Sequence, residues 1–179
     1  FLNLVDRPNF FEAFQDKQLT YGWIEGSPKI RRGIAGLYEI LEDSNILITG
    51  GAIGANFLTE YTLVEPGDEV ICVHPTYQQL YSIPKSFGAD VKLLKLDPEE
   101  GWSMDLLELE EMMNDETKML ILNNPNNPTG KLIKEGELKE IISLAQDVDA
   151  YILCDESYRG LYIHPEDDVP SIVDLYDKG

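Results

Sequence analysis

Residues 119–130 read Met-Leu-Ile-Leu-Asn-Asn-Pro-Asn-Asn-Pro-Thr-Gly, a short apolar run that ends in a dense polar turn. Met119 to Leu122 has no polar face and is too short for a helix, so it reads as a strand buried on both sides. Asn124-Pro125 and Asn127-Pro128 then place two X-Pro units close together. They end regular structure and allow cis peptide bonds at low cost. A rigid turn of this kind can hold an amide pointing into a site.

A strand buried on both faces needs neighbours of its own kind, and the chain supplies them. Asn45 to Thr49, Glu69 to Val73, Val91 to Leu96 and Ala150 to Cys154 are likewise short and largely apolar. Helical spacing fills the gaps between them. Ser27-Pro28 starts a helix through Leu41, and others run from Ile53 to Val64, Tyr77 to Phe87 and Glu135 to Gln146. Ser103 caps a further helix through Met113, with Leu106, Leu107 and Leu109 turned inward. The alternation predicts an α/β fold, a three-layer α/β/α sandwich around a mostly parallel sheet. Residues 1–26 read as an irregular segment leading into one unit over 27–179, with a loop and a short helix after Leu161.

Fourteen Lys and Arg stand against 33 Asp and Glu, a formal charge of −19. Such a surface repels phosphate backbones and anionic lipids, so no nucleic-acid or membrane partner is expected. Apolar residues at 43% are enough for a core. Cys72 and Cys154 lie inside apolar runs, the usual place of reduced cysteines in a cytoplasmic protein. No stretch reaches the roughly 20 apolar residues of a membrane span. Asp6, Arg7, Pro8 and Glu12 break any signal-peptide pattern at the start. No spacing of His, Cys and Asp suggests a metal.

In open α/β sheets ligands bind beyond the carboxyl ends of the strands. Four such ends are rich in Gly, Asn, Asp and Tyr: Thr49–Gly54, His74–Tyr77, Asn123–Gly130 and Asp155–Tyr158. The turn around Gly50-Gly51 can offer backbone N–H groups to an anion. It lacks the dinucleotide fingerprint and the P-loop Lys, and alone it reads equally well as a tight turn. Asp155 follows a buried strand and must find a partner or take up a proton. Beside a ligand it suits a ring nitrogen that stays protonated, with the Tyr158 hydroxyl close by. A helix-capping Asp followed by a surface Tyr is the structural alternative. His74 reads as a structural residue, and Arg159 as a surface or dimer residue.

Taken together, YGWIEGSPKIRRGIAGLY, TGGAIGANFL, HPTYQQLYSIPKSFGADV, NNPNNPTG and DESY resemble, in order, the class I/II aminotransferases. These are pyridoxal 5′-phosphate enzymes of fold type I, and the resemblance covers about Tyr21 to Tyr158. It implies that Gly51, Ala52 and Ile53 give backbone N–H groups to the cofactor phosphate. Tyr77 matches the aromatic that stacks on the pyridine ring, and Asn127 and Tyr158 match the groups on its phenolic oxygen. Asp155 matches the carboxylate on the protonated ring nitrogen. Tyr21 matches a tyrosine that reaches the neighbouring subunit's cofactor, which implies a homodimer. The implied substrates are an amino acid and a 2-oxo acid.

The family's Schiff-base lysine is expected beyond Gly179. None of the lysines at 17, 29, 85, 92, 95, 118, 131, 134, 139 and 178 lies in a matching segment. With no initiator Met either, the chain reads as part of a cofactor-binding large domain without its C-terminal small domain, inactive by itself. Two other readings stay open: a carbon–sulfur lyase or related α-carbon enzyme, and a non-catalytic sensory or structural domain.

Overall fold

The computed structural model describes residues 9, 12, 15, 18, 20–162 and 164–179, so most of the expected irregular segment 1–26, Lys17 included, lies outside it. Among the described residues four strands form one sheet: β1 (Glu69–His74), β2 (Asp90–Lys95), β3 (Thr117–Asn123) and β4 (Tyr151–Asp155). All pairings are parallel, in the spatial order β2-β1-β3-β4. From Pro28 onward the helices are α1 (Pro28–Ala35), α2 (Ala52–Leu63), α3 (Gln79–Ser86), α4 (Leu106–Met112) and α5 (Glu135–Asp147). Short 3-10 turns at Pro165–Asp167 and Ile172–Asp174 occupy the tail.

Strand side chains alternate between the two faces, and the core divides accordingly. Ile71, Val73, Leu120, Leu122 and Ile152 pack with Leu109 of α4 and with Leu138 and Ile141 of α5. Val70, Cys72, Met119, Ile121 and Leu153 pack on the opposite face with Leu80 of α3 and Val64. This is the expected three-layer arrangement. Each fully buried aliphatic side chain contributes roughly 1.5–3 kcal/mol.

Three expectations change. Asn45 to Thr49 joins no ladder among the described residues. Asn45 closes a 3-10 turn with Asp43, and further along the Ile48 N–H donates to Glu25 O at 3.0 Å. An apolar stretch becomes a strand only when another strand lies alongside. The first helix stops at Ala35 rather than Leu41, with Gly36 as its C-cap. Beyond it the N–H groups of Glu39 and Ile40 donate to Asp174 Oδ1 at 2.8 and 3.3 Å, a partner far along the chain. In α4 the cap is Asp105, not Ser103: its Oδ1 accepts from the N–H groups of Leu107 and Glu108 at 2.9 and 3.2 Å. The shifted start leaves Leu107 72% exposed, while Leu109 is fully buried.

Helix α2 reverses the usual distribution of polarity. Asn56 and Glu60, one turn apart, are buried, whereas Phe57, Leu58 and Tyr61 are exposed. Phe57 and Tyr61 stack at 5.8 Å, and both meet the Phe87 ring edge-on. Both Glu60 carboxyl oxygens are buried without a hydrogen-bond partner. Desolvation pushes its pKa from 4.5 up to about 8. Burial likewise raises the Cys72 and Cys154 thiols, and both cysteines are unpaired.

Candidate functional site

The register of the sheet brings the two most informative motifs together. Asn123, the last residue of β3, pairs directly with Asp155, the last of β4. The polar turn and the Asp155–Tyr158 segment therefore leave the sheet side by side. Both Asn124–Pro125 and Asn127–Pro128 are cis, as is His74–Pro75 at the end of β1.

Asn123 organises this corner. Its Nδ2 donates to the Asp155 carbonyl at 2.8 Å, and its Oδ1 accepts from the Asn127 N–H at 2.7 Å. The Asn124 N–H also donates to the Asp155 carbonyl at 3.0 Å. Asn126 Oδ1 closes the turn by accepting from the Thr129 hydroxyl at 2.8 Å and its N–H at 3.2 Å. On the Asp155 side chain, Oδ1 accepts from the Ser157 N–H at 3.0 Å and Oδ2 from Asn56 Nδ2 at 2.8 Å. Asn56 and Asp155 are both buried.

Around this corner lies a cavity of about 280 Å³ lined by Ala52, Ile53, Tyr77, Asn123, Asn127, Asp155, Ser157 and Tyr158. Six of the residues singled out in the sequence thus meet in one place, drawn from the start of α2 and from the ends of β1, β3 and β4. Tyr77 and Tyr158 stand at the rim, about two-fifths exposed. Gly51 sits behind Ala52 as the N-cap of α2, with φ of 88° and ψ of 168°. Only glycine adopts this conformation freely, which explains the residue here. The first N–H groups of α2 have no acceptor within their own helix. Tyr21 lies apart from the cavity and is fully exposed. No lysine lines the cavity among the described residues.

Arg159 turns away from the site. Its guanidinium lies over the Tyr38 ring at 5.0 Å and donates to the Leu37 carbonyl at 3.4 Å, tying the tail to the segment after α1. His74 packs edge-on against Tyr81. A larger cavity of about 440 Å³ borders Lys131, Lys134, Arg159 and Tyr162 but holds none of the expected site residues. Lys134 is already paired with Asp167. No His, Cys, Asp or Glu group suited to a metal occurs among the described residues, and no helix among them is long and apolar enough to cross a membrane.

Sequence reading placed Asn123 and Ser157 at the strand ends without a role of their own and missed Asn56. The signal for Asn56 was present: with Glu60 it places two polar groups one turn apart in a largely apolar helical segment.

Comparison with known proteins agrees with this geometry. The profile of the family described as aminotransferase class I and II matches residues 8–178. The aspartate aminotransferase of Sulfurisphaera tokodaii is 32% identical over 149 residues, covering 82% of this chain and 37% of that protein. Human tyrosine aminotransferase is 33% identical over 168 residues, 88% of this chain and 37% of its own length. Among solved structures, a PLP-dependent aminotransferase from Streptococcus suis superposes with a TM-score of 0.92 at 47% identity, covering 97% of this chain and 46% of that one. Alanine aminotransferase from Pyrococcus furiosus gives 0.84 at 25% identity over 94% of this chain and 44% of its own. The chain spans less than half the length of these relatives. By its strand ends, its sheet and these matches, the chain belongs to the class I and II aminotransferases, a family that uses pyridoxal 5′-phosphate.

Proposed function

We propose that the protein carrying this chain transfers an amino group between an amino acid and a 2-oxo acid, and that residues 27–179 form the large domain that binds its pyridoxal phosphate. The cavity that gathers Ala52, Ile53, Tyr77, Asn127, Asp155 and Tyr158 carries this reading. Its donors suit the cofactor: a buried carboxylate, an aromatic wall, an amide and a hydroxyl, and a glycine-capped helix start for a phosphate. When bound, pyridoxal phosphate supplies an electron sink for the pair left at the substrate's α-carbon.

The chain's own residues prepare that sink. Asp155 pairs with the protonated ring nitrogen and keeps the proton in place. Tyr77 covers one face of the ring, and Asn127 and Tyr158 hydrogen-bond its phenolic oxygen. The backbone N–H groups of Gly51, Ala52 and Ile53 hold the phosphate. Tyr21, exposed and away from its own cavity, reaches the phosphate site of a second subunit, so the working form is a homodimer. The amine that exchanges with substrate comes from a lysine beyond Gly179. Two unpaired cysteines and the acidic surface support a cytoplasmic setting.

The test is to titrate the full-length protein with pyridoxal phosphate and assay amino-group transfer from a panel of amino acids. Asp155→Ala should lower activity at least about a hundredfold, since it removes a charge-assisted hydrogen bond that the reaction strengthens. Unchanged activity in that variant would refute the assignment.

A further inference from the structure

The reading of the cavity as a pyridoxal phosphate site leaves unexplained why α2 buries an asparagine against β4. Asn56 lies in the second turn of α2, and its Nδ2 donates to Asp155 Oδ2 at 2.8 Å across 99 positions of sequence. The other carboxylate oxygen accepts from the Ser157 N–H at 3.0 Å. One oxygen is thus held by helix α2 and the other by the chain leaving β4, so the carboxylate plane cannot turn freely.

Resting on that reading, we propose that Asn56 is a positioning residue that locks Asp155 in the orientation that meets the ring nitrogen. The terminal torsion of an aspartate is broad and roughly two-fold, so an untethered carboxylate samples many planes. Two donors reduce this to one and leave the remaining lone pairs to the cavity. An amide suits the task because it neither carries charge nor titrates, so the hold is the same at every working pH. If Asn56 served only to pack α2 on the sheet, an apolar side chain of similar volume would do so without burying a polar group.

The experiment uses the full-length protein and two cofactors: pyridoxal phosphate, and its 1-deaza analogue, in which carbon replaces the ring nitrogen. Asn56→Leu keeps the branched shape and removes the donor, and Asn56→Ala removes it by truncation. Binding is followed by spectroscopic titration, with circular dichroism confirming that each variant is folded. Wild type should prefer pyridoxal phosphate over the analogue. Both variants should lose affinity for pyridoxal phosphate by about tenfold, the size of one charge-assisted hydrogen bond, and for the analogue by no more than about twofold. Equal losses on the two cofactors, or none, would overturn the proposal and leave Asn56 as a structural tie. If one variant fails to fold, the other decides. A wild type that binds both cofactors equally, or neither, would instead overturn the underlying reading of the pocket, and the two failures are distinguishable.

Discussion

The Asn127 N–H donates to Asn123 Oδ1 at 2.7 Å while the same side chain, through Nδ2, grips the Asp155 carbonyl at 2.8 Å. Asn123 is therefore a bracket between the two strand ends that flank the cavity. Asn123→Leu leaves the Asp155 carbonyl to the Asn124 N–H alone and deprives the part-buried Asn127 N–H of its acceptor. The variant should lose about 2 kcal/mol of stability and bind pyridoxal phosphate more weakly. Thermal unfolding and cofactor titration check both; a variant as stable as wild type would remove Asn123 from this role.

Glu60 gives a stability signature at neutral pH. Burial raises its folded pKa to about 8 against 4.5 for the free side chain. Between these values the folded state holds a proton that the unfolded state has released, so stability falls as pH rises through the window. The slope from this one group is at most about 1.4 kcal/mol per pH unit. Glu60→Gln removes it, and the variant should gain on wild type from pH 5 to pH 8 in paired melting curves. Parallel pH profiles would show that Glu60 is not buried as described.

Glu69 behaves in the opposite sense. Burial opposes its charge, yet the Lys92 ammonium, the Thr117 hydroxyl at 2.8 Å and the Asn114 amide at 2.8 Å outweigh this and hold the carboxyl below its ordinary 4.5. Its contribution is present above pH 4.5 and is lost as pH falls through the lowered folded value. Glu69→Gln should be destabilised at pH 7 and approach wild type in acid. A stability gap constant from pH 7 to pH 3 would contradict the network.

The tail packs Ile172 and Tyr176 into the core, and the Tyr176 hydroxyl donates to the Ala150 carbonyl at 2.7 Å. Tyr176→Phe removes only the donor and should cost about 1 kcal/mol. Hydrogen exchange should then quicken at Ile152, whose N–H donates to Lys178 O at 2.9 Å. Unchanged exchange there would mean that the tail is held by its apolar contacts alone.

Strands β1 and β3 were legible because a parallel strand covered on both faces must be apolar throughout, and Val70–Val73 and Met119–Leu122 carry that mark in their composition. The edge strand β2 instead keeps Lys92 and Lys95 and is exposed at Asp90, Leu93 and Lys95. The cavity was legible for a related reason: it lies at strand ends, and Ala52, Tyr77, Asn127, Asp155 and Tyr158 all follow recognisable strands or glycine turns. Asn45 to Thr49 misled for the converse reason, since apolarity marks burial and not pairing.

By itself, then, the sequence determined the layer order, the motifs at the strand ends and the family, because these depend on local periodicity and on short strings of residues. Tertiary structure alone decided which side chains hold those motifs in place. Asn56 reaches Asp155, Asp174 accepts from the segment after α1, and Asn123 joins two turns only once the register of β3 against β4 is set. A hydrogen bond depends on distances of a few tenths of an ångström between groups far apart in the chain, and no local pattern encodes that.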